Sequence, residues 1–333
     1  MFDSKVTVAV LAVAALSGCS SSEAPADEMA AAEVVASIGA AVDVPAGAQA
    51  VSFLGEVLMK GELSEAALEI YNARYEEAER ALANTPENVD SLIWMGRRTA
   101  YLNEYRQAIE IYTHAMTLHP TDARLYRHRG HRYISVREID NAIADFERAA
   151  ELFAGQPDVV EPDGLPNARG IPTSSLQFNT WYHLGLARWI KGDFAGALEA
   201  YEACAAVSTN PDAMVATAYW HYMTLVRLDR TDEAQALLDG IPEELDIIEN
   251  ASYHDMLLLF KGERTVEDVT GVEGDATPSS MAAAYGVAMY YLLNGDQTEA
   301  FRRFEEIREG MNQWASFGFV GAEAELARSD NGA

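Results

Sequence analysis

From about Ala50 to Arg328 the apolar residues recur every three or four positions, the spacing of one buried face on an α-helix. Alternating runs and tight hairpin-turn pairs do not occur, so the pattern predicts helices throughout. The most regular stretch is 89–156. Its halves are VDSLIWMGRRTAYLNEYRQAIEIYTHAMTLHPTD (89–122) and ARLYRHRGHRYISVREIDNAIADFERAAELFAGQ (123–156), which superpose at a period of 34. Leu92 then matches Tyr126, Gly96 matches Gly130, Ala108 matches Ala142, Tyr112 matches Phe146 and Ala115 matches Ala149. A fixed period of this length, with small residues at set places, predicts a stack of helical hairpins. Each unit is too small to bury its apolar face alone.

The same frame organises the rest of the chain. Residues 51–88 predict an irregular N-terminal helical hairpin, with VSFLGEVLMK as its first helix and a longer one ending near Pro86. Residues 157–177 hold four prolines and two glycines, so neither flanking helix continues into them. Such a long insertion in a compact array is expected to be functional or disordered. The period resumes over 178–249 in two further repeats. Trp181, Leu184, Gly185, Ala197 and Tyr201 mark the first, and Leu228, Ala234 and Leu238 the second, where Tyr222 replaces the glycine. Cys204 takes the place of Ala115 and Ala149 and reads as a small packing residue. A degenerate repeat and loop (250–280) follow, then a last repeat and capping helix (281–328) and a disordered tail (329–333).

These marked places, and the proline at 120 that closes the first regular copy, resemble those of tetratricopeptide repeat (TPR) proteins. The stretches RLYRHRGHRYIS and EPDGLPNARGIPTS are also similar to those of a group of bacterial TPR proteins, a likeness that carries no activity. The resemblance implies an all-α, TPR-type helical-hairpin solenoid, a right-handed superhelix of about five to six repeats. It also implies that the first helix of each hairpin lines a concave groove. By register that groove holds Trp94, Arg97, Arg124, Arg127, His128, His131, Tyr182, His183, Tyr219 and Trp220.

Charge sharpens this picture. The formal charge is −28, which excludes duplex nucleic acid as a partner. Residues 97–137 nevertheless carry eight Arg against three acids, while 229–275 carry fourteen acids against three basic residues. Guanidinium groups grip carboxylates and phosphates through paired hydrogen bonds, so the groove suits an acidic peptide, a terminal carboxylate or a small anion. Arg129 stands apart, because it occupies a place that is apolar in neighbouring copies (Met95, Leu184). A buried guanidinium needs a carboxylate. Asp145 and the insertion's Glu161 and Asp163 are within reach, and the expectation is a structural ion pair of Arg129 with Glu161 or Asp163. Were the insertion to lie in the groove, its acids would neutralise the arginines and make the patch structural.

The spacing of His128 and His131 suggests metal ligation, but three flanking arginines repel a cation and no interleaved carboxylate completes a shell. HExxH, GxSxG, GxxxxGK[ST] and calcium-loop patterns are absent. The expectation is a binding protein with no catalytic residue, no metal and no cofactor.

The first 18 residues comprise Lys5, an apolar run from Val6 to Leu16 and small residues before Cys19, which is a signal peptide too short to be a permanent membrane helix. Leu16-Ser17-Gly18-Cys19 resembles a bacterial lipobox, which implies cleavage before Cys19 and lipidation there. Ser20 follows where an Asp would imply inner-membrane retention, so the resemblance implies the outer membrane, facing the periplasm. Residues 19–50, rich in Ala and free of aromatic residues, then read as lipidated Cys and flexible tether. The functional expectation is a lipid-anchored envelope scaffold for a protein or peptide partner, with the lipid as its only membrane contact. Two alternatives stand beside it. One is a binder or enzyme for a small anion using His128, His131 and His183. The other is a structural subunit of an envelope assembly.

Overall fold

In the computed structural model, which describes residues 43–270 and 278–330, the 34-residue period becomes antiparallel helix pairs. Helix α1 (Glu65–Asn84) leads into the pairs α2 (Val89–Tyr101) with α3 (Tyr105–Leu118), and α4 (Ala123–Ser135) with α5 (Ile139–Phe153). Beyond the insertion come α6 (Leu176–Lys191) with α7 (Phe194–Val207), and α8 (Pro211–Arg227) with the short α9 (Thr231–Asp239). Helices α10 (Ala251–Lys261) and α11 (Val266–Thr270) precede the last pair, α12 (Pro278–Leu293) with α13 (Gln297–Glu309). The TPR-type all-α solenoid expected from the period is the fold observed.

Local chemistry sets the helix boundaries. The first helices of four pairs start on Asn88, Asp122, Ser175 and Asn210, whose side chains accept from backbone N–H groups two or three residues on. Within each pair the chain reverses at one left-handed residue: Asn103, Arg137, Gly192, Asp229 and Gly295, with φ of 61, 66, 90, 57 and 86°. Gly, Asn and Asp suit that conformation; Arg137 does not. The repeat's small places are enforced by contact. A Cβ at Gly96, Gly130 or Gly185 would lie 2.5, 2.9 or 2.6 Å from the aromatic ring of Tyr112, Phe146 or Tyr201 on the paired helix. Ala108, Ala142 and Ala197 are fully buried, as is Cys204, whose thiol burial pushes up to about 12.

Three features depart from expectation. The predicted N-terminal hairpin of helices is a β-ribbon followed by a single helix. Strand β1 (Ala50–Val51) pairs antiparallel with β2 (Val57–Leu58), turning at Gly55 with φ 85°. Ser52 Oγ accepts from the N–H groups of Leu54 and Glu56 and so holds the turn that a helix would have to erase. The end of the expected tether is also folded: Ala48, Gln49 and Ala50 are buried, and Arg106 Nε donates to Gln49 O at 2.6 Å.

The expected capping helix does not extend the stack. After a 3₁₀ turn (Met311–Gln313), α14 (Phe317–Asp330) turns back and packs on α12, α13 and α6, inside the concave face. There it meets the ribbon, where Phe53 N–H donates to Glu323 Oε1 at 2.5 Å and Trp314 Nε1 to Met59 O at 2.9 Å. The first and last elements therefore close the array on itself. Residues 329 and 330 of the expected tail are helical, while Cys19, the tether before 43, the 271–277 loop and 331–333 lie outside the described residues. Among the described residues no helix is long and apolar enough to cross a membrane.

Candidate functional site

The inward helix α14 divides the expected groove. In its C-terminal half, Tyr182, Tyr219 and Trp220 are 6, 0 and 1 % exposed, and so are core residues where a groove lining was expected. Trp220 Nε1 donates to Tyr182 OH at 2.9 Å, and that hydroxyl lies 3.0 Å from Tyr253 OH. Phe317 of α14 sets its ring 5.3 Å from His131 and 5.4 Å from His183. The physical reason is area. Apolar first-helix faces this large gain more by burying against other helices of the same chain, here α10 and α12 as well as α14, than by facing water.

The N-terminal half stays open. A cleft of about 590 Å³ lies between α2, α4, the end of α5 and the insertion. Ile93, Leu152, Phe153, Val159, Val160 and Leu176 make its apolar wall, and Trp94, Arg97, Arg124 and His128 its polar one. Trp94 lies beneath the Arg97 and Arg98 guanidiniums, 4.3 and 4.6 Å from its ring. Arg124 is gripped at the rim by Asp122 at 2.6 Å and Asp90 at 2.7 Å.

The insertion is ordered and crosses the mouth of the concave face. Its carbonyls meet the arginines: Arg97 donates to Pro162 O at 2.8 Å, and Arg98 and Arg74 to Gly164 O at 2.8 and 2.9 Å. A Cβ at Gly164 would fall 1.6 Å from Tyr101 OH, so any other residue there would have to displace that ring. The other arm is pinned to the acidic half, with Arg169 on Asp246 at 2.7 Å and Thr173 Oγ1 donating to Glu249 at 2.5 Å.

Glu161 is the carboxylate the insertion delivers, but not to Arg129. It sits 3.0 Å from Arg127 Nε and 3.8 Å from His128 Nε2, and accepts from Asn179 Nδ2 at 3.1 Å. Arg129 instead forms a two-pronged pair with Asp145 of α5 at 2.7 and 2.8 Å, and donates to Thr113 of α3 at 3.0 Å. On α4 it faces the second helices, whereas Arg127 and His128 face the insertion. Asp163 has no ion pair among the described residues, and burial, with Glu249 nearby, raises its carboxyl above the usual range. The expected Arg129 pairing with Glu161 or Asp163 is thus corrected to Asp145.

His128, His131 and His183 converge as expected, with the rings of His131 and His183 4.4 Å apart. All three are held well below the ordinary imidazole range, first by burial, then by Arg127 for His128 and His183 and by Arg132 for His131. Neutral imidazoles packed among rings, one of them 2.5 Å from Asn179 O, act as packing and hydrogen-bonding groups. Among the described residues no group of three His, Cys, Asp or Glu is placed to hold a metal ion. Behind the cleft a chamber of about 120 Å³ lies among Arg97, Tyr101, Tyr112, Arg127, His128, His131, Arg132 and Glu161.

Sequence reasoning missed the acids that anchor α14. Glu323, 0 % exposed, accepts from Arg137 at 2.7 Å; Glu325 accepts from Arg227 at 2.5 Å and Arg328 at 2.6 Å. The available signal was two acids in the otherwise apolar run FGFVGAEAELA.

Residues 178–211 match the family model described as tetratricopeptide repeat. The matched span is the α6–α7 pair, one unit of the TPR-type solenoid fold. Over 123 residues the chain is 31% identical to the heat-shock protein cognate (HSC) co-chaperone sgt12 of Aspergillus fumigatus, covering 37% of this chain and 30% of that protein. The chain thus spans under a third of that relative's length. Among solved structures it is similar to YrrB, described as a TPR protein with an unusual peptide-binding site, at 16% identity and a TM-score of 0.39, covering 71% of this chain and 92% of that one. It is also similar to MamA protein at 17% identity and a TM-score of 0.39, covering 60% of this chain and 94% of that one.

Proposed function

We propose that the chain is a lipid-anchored scaffold of a bacterial envelope, tethered through Cys19 to the outer membrane, that holds a protein partner by an extended peptide in the 590 Å³ cleft. The observation that carries this reading is a backbone edge inside the cleft. Val160 bridges Ser175 antiparallel, and the flanking bonds are Glu161 N–H to Ser174 O and Leu176 N–H to Val159 O. In that register the Val160 N–H and C=O point away from Ser175. Both are unpaired among the described residues, beside the apolar wall. An added strand supplies main-chain bonds while side-chain pockets supply selectivity. Arg97 and Arg124 at the cleft favour an acidic segment, which is unusual on a surface so negative overall.

One experiment tests both halves. A photocrosslinking amino acid at Val160, compared with one at the convex residue Glu110, is expected to give a discrete partner adduct in the membrane fraction only from the cleft. Trp94→Ala should weaken that adduct, and Cys19→Ala should move protein and adduct out of the membrane fraction. Equal adducts from both positions exclude the cleft, and unchanged membrane association of Cys19→Ala excludes the anchor.

A further inference from the structure

The chamber behind the cleft has a charge imbalance that the fold does not settle. Of the eight arginines in 97–137, seven meet an acceptor or carboxylate: a loop carbonyl for Arg97 and Arg98, and Glu138, Asp122, Glu161, Asp145 and Glu323 for the other five. Arg132 meets none. Among the described residues its guanidinium has no hydrogen bond and no ion pair, only the ring of Tyr105 at 5.6 Å. It is half-buried and lines the chamber with Arg97 and Arg127, against Glu161 as the one carboxylate. Glu161 is already shared between Arg127 and Asn179. Even that pairing is incomplete. Arg127 Nε is 3.0 Å from Glu161, yet its N–H is not aimed at the carboxylate, which leaves the buried atom without a hydrogen bond.

Unpaired cations drawn out of water are costly unless an anion joins them. We propose that the chamber is a binding site for a small tetrahedral oxyanion of the phosphate or sulfate class, held by Arg132 and Arg127 with Arg97 at its mouth. The size agrees. A volume of about 120 Å³ leaves room for one such ion. Guanidinium forks match the oxygens of these ions in pairs. Entry is possible from both sides. The chamber shares Arg97 and Glu161 with the cleft, and Tyr101 and Arg132 with a second opening of about 420 Å³ beside residues 312–317. The two readings share Arg97 and separate at Arg132, which lines the chamber and not the cleft.

The test is thermal unfolding of the full mature chain in chloride buffer, with inorganic phosphate or sulfate added against chloride of equal ionic strength. Phosphate and sulfate are expected to raise Tm by several degrees in a saturable way, while chloride, which only screens, does not. Arg132→Met should abolish that rise without lowering the anion-free Tm. Arg148→Met, an exposed change that lines neither the chamber nor the cleft, should keep it. In parallel, the ³¹P line of inorganic phosphate should broaden with the wild-type chain, a measurement that does not depend on any variant folding. Phosphoserine added as a competitor separates a free ion from a phosphate carried on a partner's side chain: no displacement assigns the chamber to the free ion. Absence of ³¹P broadening, or a phosphate-dependent rise that survives in Arg132→Met, overturns the proposal.

Discussion

Arg137 shows how a single residue can defy its local preference when the rest of the structure holds it. Its φ of 66° costs a side-chain-bearing residue about 1–3 kcal/mol, and its neighbours in the frame are Asn, Asp and Gly. The compensation is its side chain, which spans to Glu323 and to the carbonyls of Ser135 and Trp314, each at 2.7 Å. Arg137→Met should therefore destabilise by about 3–5 kcal/mol, because it strands a carboxylate that is 0 % exposed. Glu323→Gln in the same background should recover much of that loss, and urea unfolding of the four-member cycle reads the coupling. Additive, small effects would mean the pair is not formed. None of this was legible in the sequence, where 186 positions separate the partners and no period links them. The Arg129 pairing was half legible. Its apolar register demanded a carboxylate, but choosing Asp145 over Glu161 needed the path of the insertion, which spacing does not encode.

Among the elements, those that repeat were readable and those that close the array were not. Glycine and alanine places follow from the period because each is set by its own hairpin partner, a contact local in sequence. Ala142 is one such place, fully buried between helices that approach closely. Ala142→Leu should overpack it at a cost of about 1–3 kcal/mol, whereas the exposed Glu110→Gln should cost well under that. Thermal melts that rank them the other way would contradict the packing. The ribbon at 50–58 misled for a physical reason: two residues per strand are too few to show alternation, so apolar spacing mimicked a helix turn. The aromatic residues of the expected groove misled differently. Tyr182, Tyr219 and Trp220 are instead covered by later elements, Tyr182 by Phe317 of α14, Tyr219 by Tyr253 and Phe260 of α10, and Trp220 by Tyr285 of α12, and only the tertiary structure reveals that filling.

At the scale of the molecule, α4, α6, α14 and the insertion meet around three imidazoles that the fold keeps uncharged, and this couples their packing to pH. His128, His131 and His183 face Arg127, Arg97 and Arg132, and Glu161 is the carboxylate near them. Their folded pKa values are depressed, so the unfolded chain takes up protons as pH falls through about 6.5 while the folded chain does not. Stability from these groups is therefore complete above about 6.5 and is lost as pH falls toward the depressed values. Each group steepens the loss by up to about 1.4 kcal/mol per pH unit, or about 4 for the three together. Urea unfolding from roughly pH 7.5 to pH 5.5, a range above most carboxylate titrations, should show that slope. His183→Phe, which keeps the ring packing against Phe146 and Phe317, should remove the share of one group from it, beside a further contribution from His221, which burial also depresses. A flat profile would mean the imidazoles are as readily protonated folded as unfolded, and the arginines around them would then need an anion closer than Glu161.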